Sequence, residues 1–425
     1  MKQIRNMKVH LTSLGCAKNR VDSEKTLAIL KNQGCEITDD PHKADCMLVN
    51  TCGFINEARA ESIETILELA EIKKNNPSAK LAVMGCMVER FQKELAEELP
   101  EVDYLFNFSS ESAAIAHMPE TTDRLLEAGS VSAYLKIAEG CGNSCAFCTI
   151  PMIRGPLKSR PIESITAEAR QLVSVGVKEL VLVAQDTTRY GADLRMKNGL
   201  VKLLGELVKT GPAWIRVMYL YPTLITDEII ACIAEEPKIC DYIDVPFQHI
   251  NDEILKKMGR NETNRDINGL VEKIRKAMPD GAIRTSFIVG LPGETDKQFQ
   301  ELEKFVCDAG LDHAGVFTYS EEAGTKAAEF LDDVPENVKQ ERKERLMIIQ
   351  QEISLLKNEA KTGKVYETLV ERFEAENNLL IGRLKTQAPE VDGEVILDKC
   401  GSKPGEIISV KITGAMEYDL IGEAV

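Results

Sequence analysis

The sequence predicts an α/β chain in three parts: an N-terminal parallel α/β sheet domain over 1–126, a central partial barrel of six β/α units over 127–362, and a small C-terminal β-barrel over 363–425. Three observations carry this reading. Apolar runs of strand length alternate with helical stretches from residue 8 to about residue 350, a rhythm that implies parallel strands joined by helices. Beyond residue 363 the helices give way to short β runs separated by Gly, Asn and Pro, the pattern of a small barrel. Between the first and second regions stand Cys141, Cys145 and Cys148, spaced C-x3-C-x2-C directly after the apolar run 134–138.

Composition bounds the functional classes. A chain of 425 residues, 44% hydrophobic, has room for two or three domains, at ~100–200 residues each. No stretch reaches the ~18 apolar residues of a membrane span. Residues 1–13 carry basic residues but no apolar core of signal-peptide length. The expectation is a soluble, cytoplasmic protein with no membrane partner. Twelve cysteines in such a chain point to metal rather than to disulfides, which the cytosol keeps reduced. The net charge of -16 favours a basic partner over a phosphate backbone.

In chain order, 8–12 reads as a strand, 21–32 as a helix opened by Asp22 and Ser23, 46–49 as a strand and 57–74 as a helix. A third strand at 81–84 and a helix at 89–98, ending before Pro100, complete the first region. Cys16, Cys52 and Cys86 each follow one of the three strands, and each has a glycine beside it: Gly15, Gly53 and Gly85. The carboxyl ends of parallel strands face one crevice, so the three sulfurs can converge across long sequence separations. Flanking glycines allow close backbone approach, and the helix starts that follow favour thiolates. The plainer alternative is three buried cysteines acting as small hydrophobes. Cys35 and Cys46 lack the strand-end placement and are read that way.

The loop 141–148 offers three thiolates on one short segment. A cubane iron–sulfur cluster takes four, so three leave one iron open to a small molecule. A structural zinc site is the alternative, but it wants a second pair of ligands. Cys232, Cys240, Cys307 and Cys400 form no pair and have no neighbouring His.

Further strands are expected at 179–184, 214–220, 242–245, 283–289 and 315–319. With the one before Cys141 that makes six, and a partial barrel places its site at their C-terminal ends. Gln185, Asp186, Arg216, Gln248, His249 and the turn 290–295 stand at or near those ends. Arg154, Lys158 and Arg160 add positive charge beside the cysteine loop; they form a solvated connector or orient an acidic substrate group. Residues 335–360 read as one amphipathic helix with Leu346, Ile349, Ile353 and Leu356 on its packing face. The C-terminal segment 363–425 holds 7 Lys and Arg against 12 Asp and Glu, which suits a basic protein surface better than RNA phosphates.

The cysteine loop, with Phe147 just before its last cysteine, resembles that of the radical S-adenosylmethionine enzymes. Three strand-end cysteines ahead of such a loop resemble the methylthiotransferase family. Within it, the run Ser13, Leu14, Gly15, Cys16, Ala17, Lys18, Asn19 is similar to the RimO branch. The tRNA-modifying MiaB branch tends to have a Gly-Cys-Gln-Met-Asn form there, which this chain lacks. The runs 51–55 and 136–141 are similar to RimO forms, and 387–393 resembles the RimO form of the TRAM domain.

The resemblance implies two [4Fe-4S] clusters and S-adenosyl-L-methionine as cofactors. Cys141, Cys145 and Cys148 would hold the catalytic cluster that cleaves S-adenosylmethionine, and Cys16, Cys52 and Cys86 the auxiliary one. Phe147, Gln185, Gln248 and Gly290 would contact S-adenosylmethionine. The implied substrate is an aspartate of ribosomal protein S-twelve, free or on the small ribosomal subunit, methylthiolated at its β-carbon. An electron donor such as flavodoxin or ferredoxin is implied as a partner. A tRNA adenosine methylthiotransferase of the MiaB type is the alternative.

Overall fold

A computed structural model describes residues 6–107, 121–398 and 401–425; Cys400 and the first five residues lie outside them. Near-continuous apolar runs make strands buried on both faces, as parallel sheets require. That holds for the central pair β3 (Cys46–Thr51) and β4 (Lys80–Gly85), which join the less buried β1 (Lys8–Ser13), β2 (Glu36–Ile37) and β5 (Tyr104–Phe106) in the order β2-β1-β3-β4-β5. Every pairing is parallel. Helices α1 (Ala17–Asn32), α2 (Asn56–Asn75) and α3 (Cys86–Glu98) follow β1, β3 and β4. Met47, Val49, Leu81 and Val83 are fully buried beneath them, each worth roughly 1.5–3 kcal/mol of transfer free energy.

Two helices begin earlier than expected. Cys16 is the N-cap of α1, and Cys86 is the first residue of α3. The reason is local for α1: buried Asn19 donates to the carbonyls of Leu14 and Thr51, both at 3.0 Å, and ties the polar first turn to the sheet edge.

The centre contains β6 (Ser132–Lys136), a short pair β7 (Ala138–Glu139) and β8 (Lys158–Ser159), then β9 (Glu179–Val183), β10 (Trp214–Val217), β11 (Tyr242–Asp244), β12 (Ala282–Val289) and β13 (His313–Thr318). Six of these form two parallel three-stranded sheets, β10-β9-β6 and β11-β12-β13. Backbone hydrogen bonds from Cys240 to Ile215 and from Leu220 to Asp244, both 2.8 Å, carry the wall from one sheet to the other. The result is a six-stranded partial barrel, open between β6 and β13. Helices α4 (Ile150–Arg154), α5 (Ile162–Ser174), α6 (Gly199–Val208), α7 (Asp227–Glu235), α8 (Asp252–Lys257), α9 (Asn264–Ala277) and α10 (Asp296–Ala309) fill the connections. A large apolar core lies between the wall and these helices.

The long helix α11 (Glu336–Glu359) departs in part from its expected packing face. Leu346 is buried and Ile349 and Ile353 pack half-buried on the central core, but Leu356 is 65% exposed, and the other buried positions are Lys339, Arg342, Gln350, Ser354 and Asn358. Those side chains are inside because loop carbonyls and carboxylates are waiting for them. Gln350 donates to Leu311 O at 3.0 Å, Ser354 to Asp312 O at 3.0 Å and Asn358 to Met416 O at 3.1 Å.

The last five strands, β14 (Val365–Glu374), β15 (Leu379–Leu384), β16 (Val395–Asp398), β17 (Ile407–Ala415) and β18 (Leu420–Ala424), close a barrel in the order β14-β15-β16-β18-β17. Its loop 386–392 enters the open side of the central barrel. Ala388 is buried with Val181, Val183, Trp214 and Met218 of the barrel interior. Tyr134 of β6 donates to Glu390 at 3.0 Å, Tyr242 of β11 to Asp392 at 2.6 Å, and the ring of His313 in β13 meets Thr386 O at 3.2 Å. At the base, buried Arg216 and Arg383 share Glu179, and Arg383 also bonds Glu371 at 2.7 Å. Arg216 therefore stands at the closed end of the barrel, where it ties in the C-terminal module, and not at the mouth. Among the described residues no helix is long and apolar enough to cross a membrane.

Candidate functional site

The parallel register brings the three N-terminal cysteines to one sheet edge. Ser13 pairs with Asn50 and Thr51 with Gly85, so the chain leaves β1, β3 and β4 side by side, at Cys16, Cys52 and Cys86. Gly15 has φ +87°, and a Cβ there would lie 2.8 Å from the Cβ of Cys52 and 3.2 Å from its Sγ. Gly85 has φ +105°, and a Cβ there would meet Asn50 Oδ1 at 2.4 Å. Only glycine permits this approach of the cysteine turns.

Helix starts favour thiolates less evenly than expected. Burial works to raise Cys16, but Lys18, the N–H groups of Asn19 and Lys18, and Arg154 outweigh it and hold the thiol below its ordinary value. Burial wins at the other two: Cys52 is pushed up to about 11 and Cys86 is raised despite Arg154. Buried thiols of this kind shed their protons when a cation takes their place.

The second set lies at the mouth of the partial barrel. The loop 141–148 is pinned by a hydrogen bond from Ala146 N–H to Met258 O at 2.8 Å. Asn143 N–H reaches Cys141 Sγ at 3.4 Å. Arg260, stacked on Tyr221 with its guanidinium 4.3 Å from the ring centroid, is paired with Glu262 and lies where its charge opposes the effect of burial on the Cys145 thiol. Burial raises Cys141 and Cys145 and pushes Cys148 up to about 12. Among the described residues no three Cys, His, Asp or Glu side chains surround a single-ion position. A lone zinc needs its ligands about 2.3 Å from one point, whereas a cubane takes each thiolate on a separate iron. Three thiolates in each set match the donor chemistry of a cubane that leaves one iron open.

The remaining predicted contacts are not alike. Phe147 packs on an apolar cluster of Ala146, Ile254, Met258, Leu291 and Tyr319 beneath the loop. Gln185 follows β9 and donates to Glu139 at 3.0 Å, while its Oε1 is buried without a partner. Gln248 follows β11 with φ +70° and is half-buried. Gly290 gives its N–H to Glu294, and a Cβ on it would lie 2.3 Å from Lys339 Cγ, so its visible role is to admit α11. Cys35 and Cys46 belong to an apolar cluster away from the edge.

The residue that joins the two cysteine sets is Arg154, which the sequence presents only as one charge of a connector. It ends α4, six residues after Cys148, and its side chain is 4% exposed. One Nη donates to Cys86 Sγ at 3.2 Å and to Asn19 Oδ1 at 2.7 Å. The other meets Asp22 at 3.0 Å and Glu139 at 3.3 Å. Lys136 pairs with the same two carboxylates. Although burial opposes it, Lys136 and Arg154 hold Glu139 down to about 2. Farther round the cleft, Arg59 of α2 and Arg90 of α3 both grip Glu322, at 2.6 and 2.7 Å, and Arg90 also donates to Gly53 O beside Cys52. The two cysteine sets thus face one cleft whose walls are held together by buried ion pairs.

Three family models match the chain: Uncharacterized protein family UPF0004 over 8–107, the Radical SAM superfamily over 135–306 and the TRAM domain over 362–425. A protein of Pelotomaculum thermopropionicum named ribosomal protein uS12 methylthiotransferase RimO is 46% identical, over 99% of each chain. Proteins of the same name from Pelobacter propionicus and Geobacter sulfurreducens are each 45% identical. The first alignment covers 100% of this chain and 99% of the relative, the second 98% of both. Among solved structures, the radical S-adenosylmethionine methyltransferase TsrM from Kitasatospora setae, with cobalamin and a [4Fe-4S] cluster bound, superposes with a TM-score of 0.54 at 15% identity, covering 76% of this chain and 77% of that one. The cobalamin-dependent radical enzyme OxsB superposes with a TM-score of 0.51 at 11% identity, over 82% and 57%. At such identities these two establish the fold alone.

Proposed function

The chain belongs to the RimO family of methylthiotransferases in the radical S-adenosylmethionine superfamily, and from that membership we propose that it attaches a methylthio group to the β-carbon of an aspartate in ribosomal protein uS12, in the cytoplasm. The observation that carries the proposal is the facing of two three-cysteine sets across one cleft, joined by Arg154.

In this reading Cys141, Cys145 and Cys148 hold one [4Fe-4S] cluster and Cys16, Cys52 and Cys86 a second. The clusters supply one-electron reduction of S-adenosylmethionine at the first site and hold the sulfur to be transferred at the second. The protein's share is placement. Arg260 supports Cys145 through its charge, and Arg154 supports Cys86 by a hydrogen bond to sulfur. Gln185, with its unpartnered Oε1, and the left-handed turn at Gln248 line the barrel mouth, where S-adenosylmethionine binds. Radical chemistry is needed because the target carbon is unactivated, and a general base contributes only about 10²–10⁴-fold.

Iron analysis tests the two-cluster assignment. The anaerobically reconstituted protein is expected to hold about eight irons per chain. Changing Cys16, Cys52 and Cys86 to Ala should leave about four and spare reductive cleavage of S-adenosylmethionine while stopping methylthio insertion. Four irons in the unmutated protein would overturn the auxiliary cluster.

A further inference from the structure

We infer that Lys18 is the residue that holds the side-chain carboxylate of the substrate aspartate, and so sets the preference for an acidic target. The inference rests on the aspartate reading above and deepens it. Lys18, Lys136 and Arg154 are among the cations of the cleft between the N-terminal crevice and the barrel mouth, where Arg59 and Arg90 are held by Glu322. Lys136 and Arg154 are spent on Asp22 and Glu139. Among the described residues the ammonium of Lys18, two residues after Cys16, forms no ion pair and no hydrogen bond; its Nζ lies 3.8 Å from the centroid of the Tyr219 ring.

That ring is a deliberate support. Tyr219 lies just past the carboxyl end of β10 with φ +60°, a conformation a bulky side chain rarely adopts. It is fixed there by its N–H on Asp244 at 2.9 Å and by its carbonyl, which accepts from the N–H of Thr187 at 3.0 Å. Ala17 packs against the barrel's inner cluster, which aims the next residue across the cleft from the N-terminal domain. A cation held on an aromatic face, beside one cysteine set and over the mouth that carries the other, lacks only an anion. An aspartate whose β-carbon must lie between the two sets carries its carboxylate on the adjacent atom.

The test is the affinity of the reconstituted full-length protein for two labelled peptides of the uS12 target loop, one with Asp and one with Asn at the modified position, read by fluorescence anisotropy. The unmutated protein should bind the Asp peptide about tenfold tighter or more. In Lys18→Met that ratio should fall to near one through weaker Asp binding alone, and Lys18→Arg should restore most of it. Lys18→Gln repeats the comparison if the Met variant loses its iron. An undiminished ratio in Lys18→Met, equal losses for both peptides, or weakened S-adenosylmethionine binding in place of lost discrimination overturns the Lys18 assignment. If the unmutated protein modifies the Asp peptide while any of these holds, the substrate reading survives; if it neither prefers nor modifies that peptide, both fall.

Discussion

At the scale of single residues, the chain places its ionisable groups where burial and charge oppose each other, and one of them makes a pH prediction. His249, just past β11, is wholly buried; its Nδ1 accepts from Asn251 N–H at 3.0 Å and its Nε2 has no partner. Burial, helped by Arg342, depresses it from 6.5 to about 3. The folded state therefore binds one proton fewer than the unfolded state between those values. Stability contributed by neutral His249 is present above pH 6.5 and is lost as pH falls towards 3, at up to about 1.4 kcal/mol per pH unit. Chemical denaturation of His249→Asn across that range should show a correspondingly shallower loss; an unchanged slope would mean another group carries it. Residues of the site were legible to different depths. The cysteines were, because a strand of known length ending in Gly-Cys or Cys-Gly fixes where the sulfur emerges. Arg154 was not, since partners such as Asn19, Asp22, Cys86 and Glu139 include residues up to 135 positions away.

At the scale of elements, long-range ion pairs dock α2 and α3 on the barrel. Glu322, 3% exposed in the loop after β13, neutralises both Arg59 and Arg90. Glu322→Ala strands two partly buried guanidiniums, a loss of about 3–5 kcal/mol by analogy with other broken buried pairs. Urea unfolding should then separate into two transitions, with the N-terminal domain released first; a single unshifted transition would show that docking rests elsewhere. Strands and most helices followed from periodicity because each is specified within its own stretch. The polar inner stripe of α11 did not, because Gln350, Ser354 and Asn358 are buried by carbonyls of other segments. The same holds for the insertion of loop 386–392 into the barrel. Its Gln387, Pro389 and Asp392 carry no apolar periodicity that marks a buried segment, and only the open edge between β6 and β13 gives it a place to go.

At the scale of the whole molecule, a net charge of -16 and an acidic C-terminal barrel suit a basic partner. Not every acid there is free to meet one: Glu371 is bonded inward to Arg383, whereas Glu376 and Glu417 are exposed. Reversing Glu376 and Glu417 to Lys should raise the KM for uS12 more at low salt than at high, since screening acts over a Debye length of about 8–10 Å near physiological ionic strength. An equal rise at both would remove electrostatics from the recognition. The proposal as a whole reduces to a chemical change on one protein. Purified uS12 is incubated with the reconstituted chain, S-adenosylmethionine and a reductant, and its mass is measured intact and after digestion, with tRNA treated in parallel. The proposal predicts a gain of about 46 Da, a methylthio group in place of hydrogen, on a single aspartate of uS12 and no change in tRNA. Unmodified uS12 beside methylthiolated tRNA adenosine, from protein holding both clusters, would contradict it.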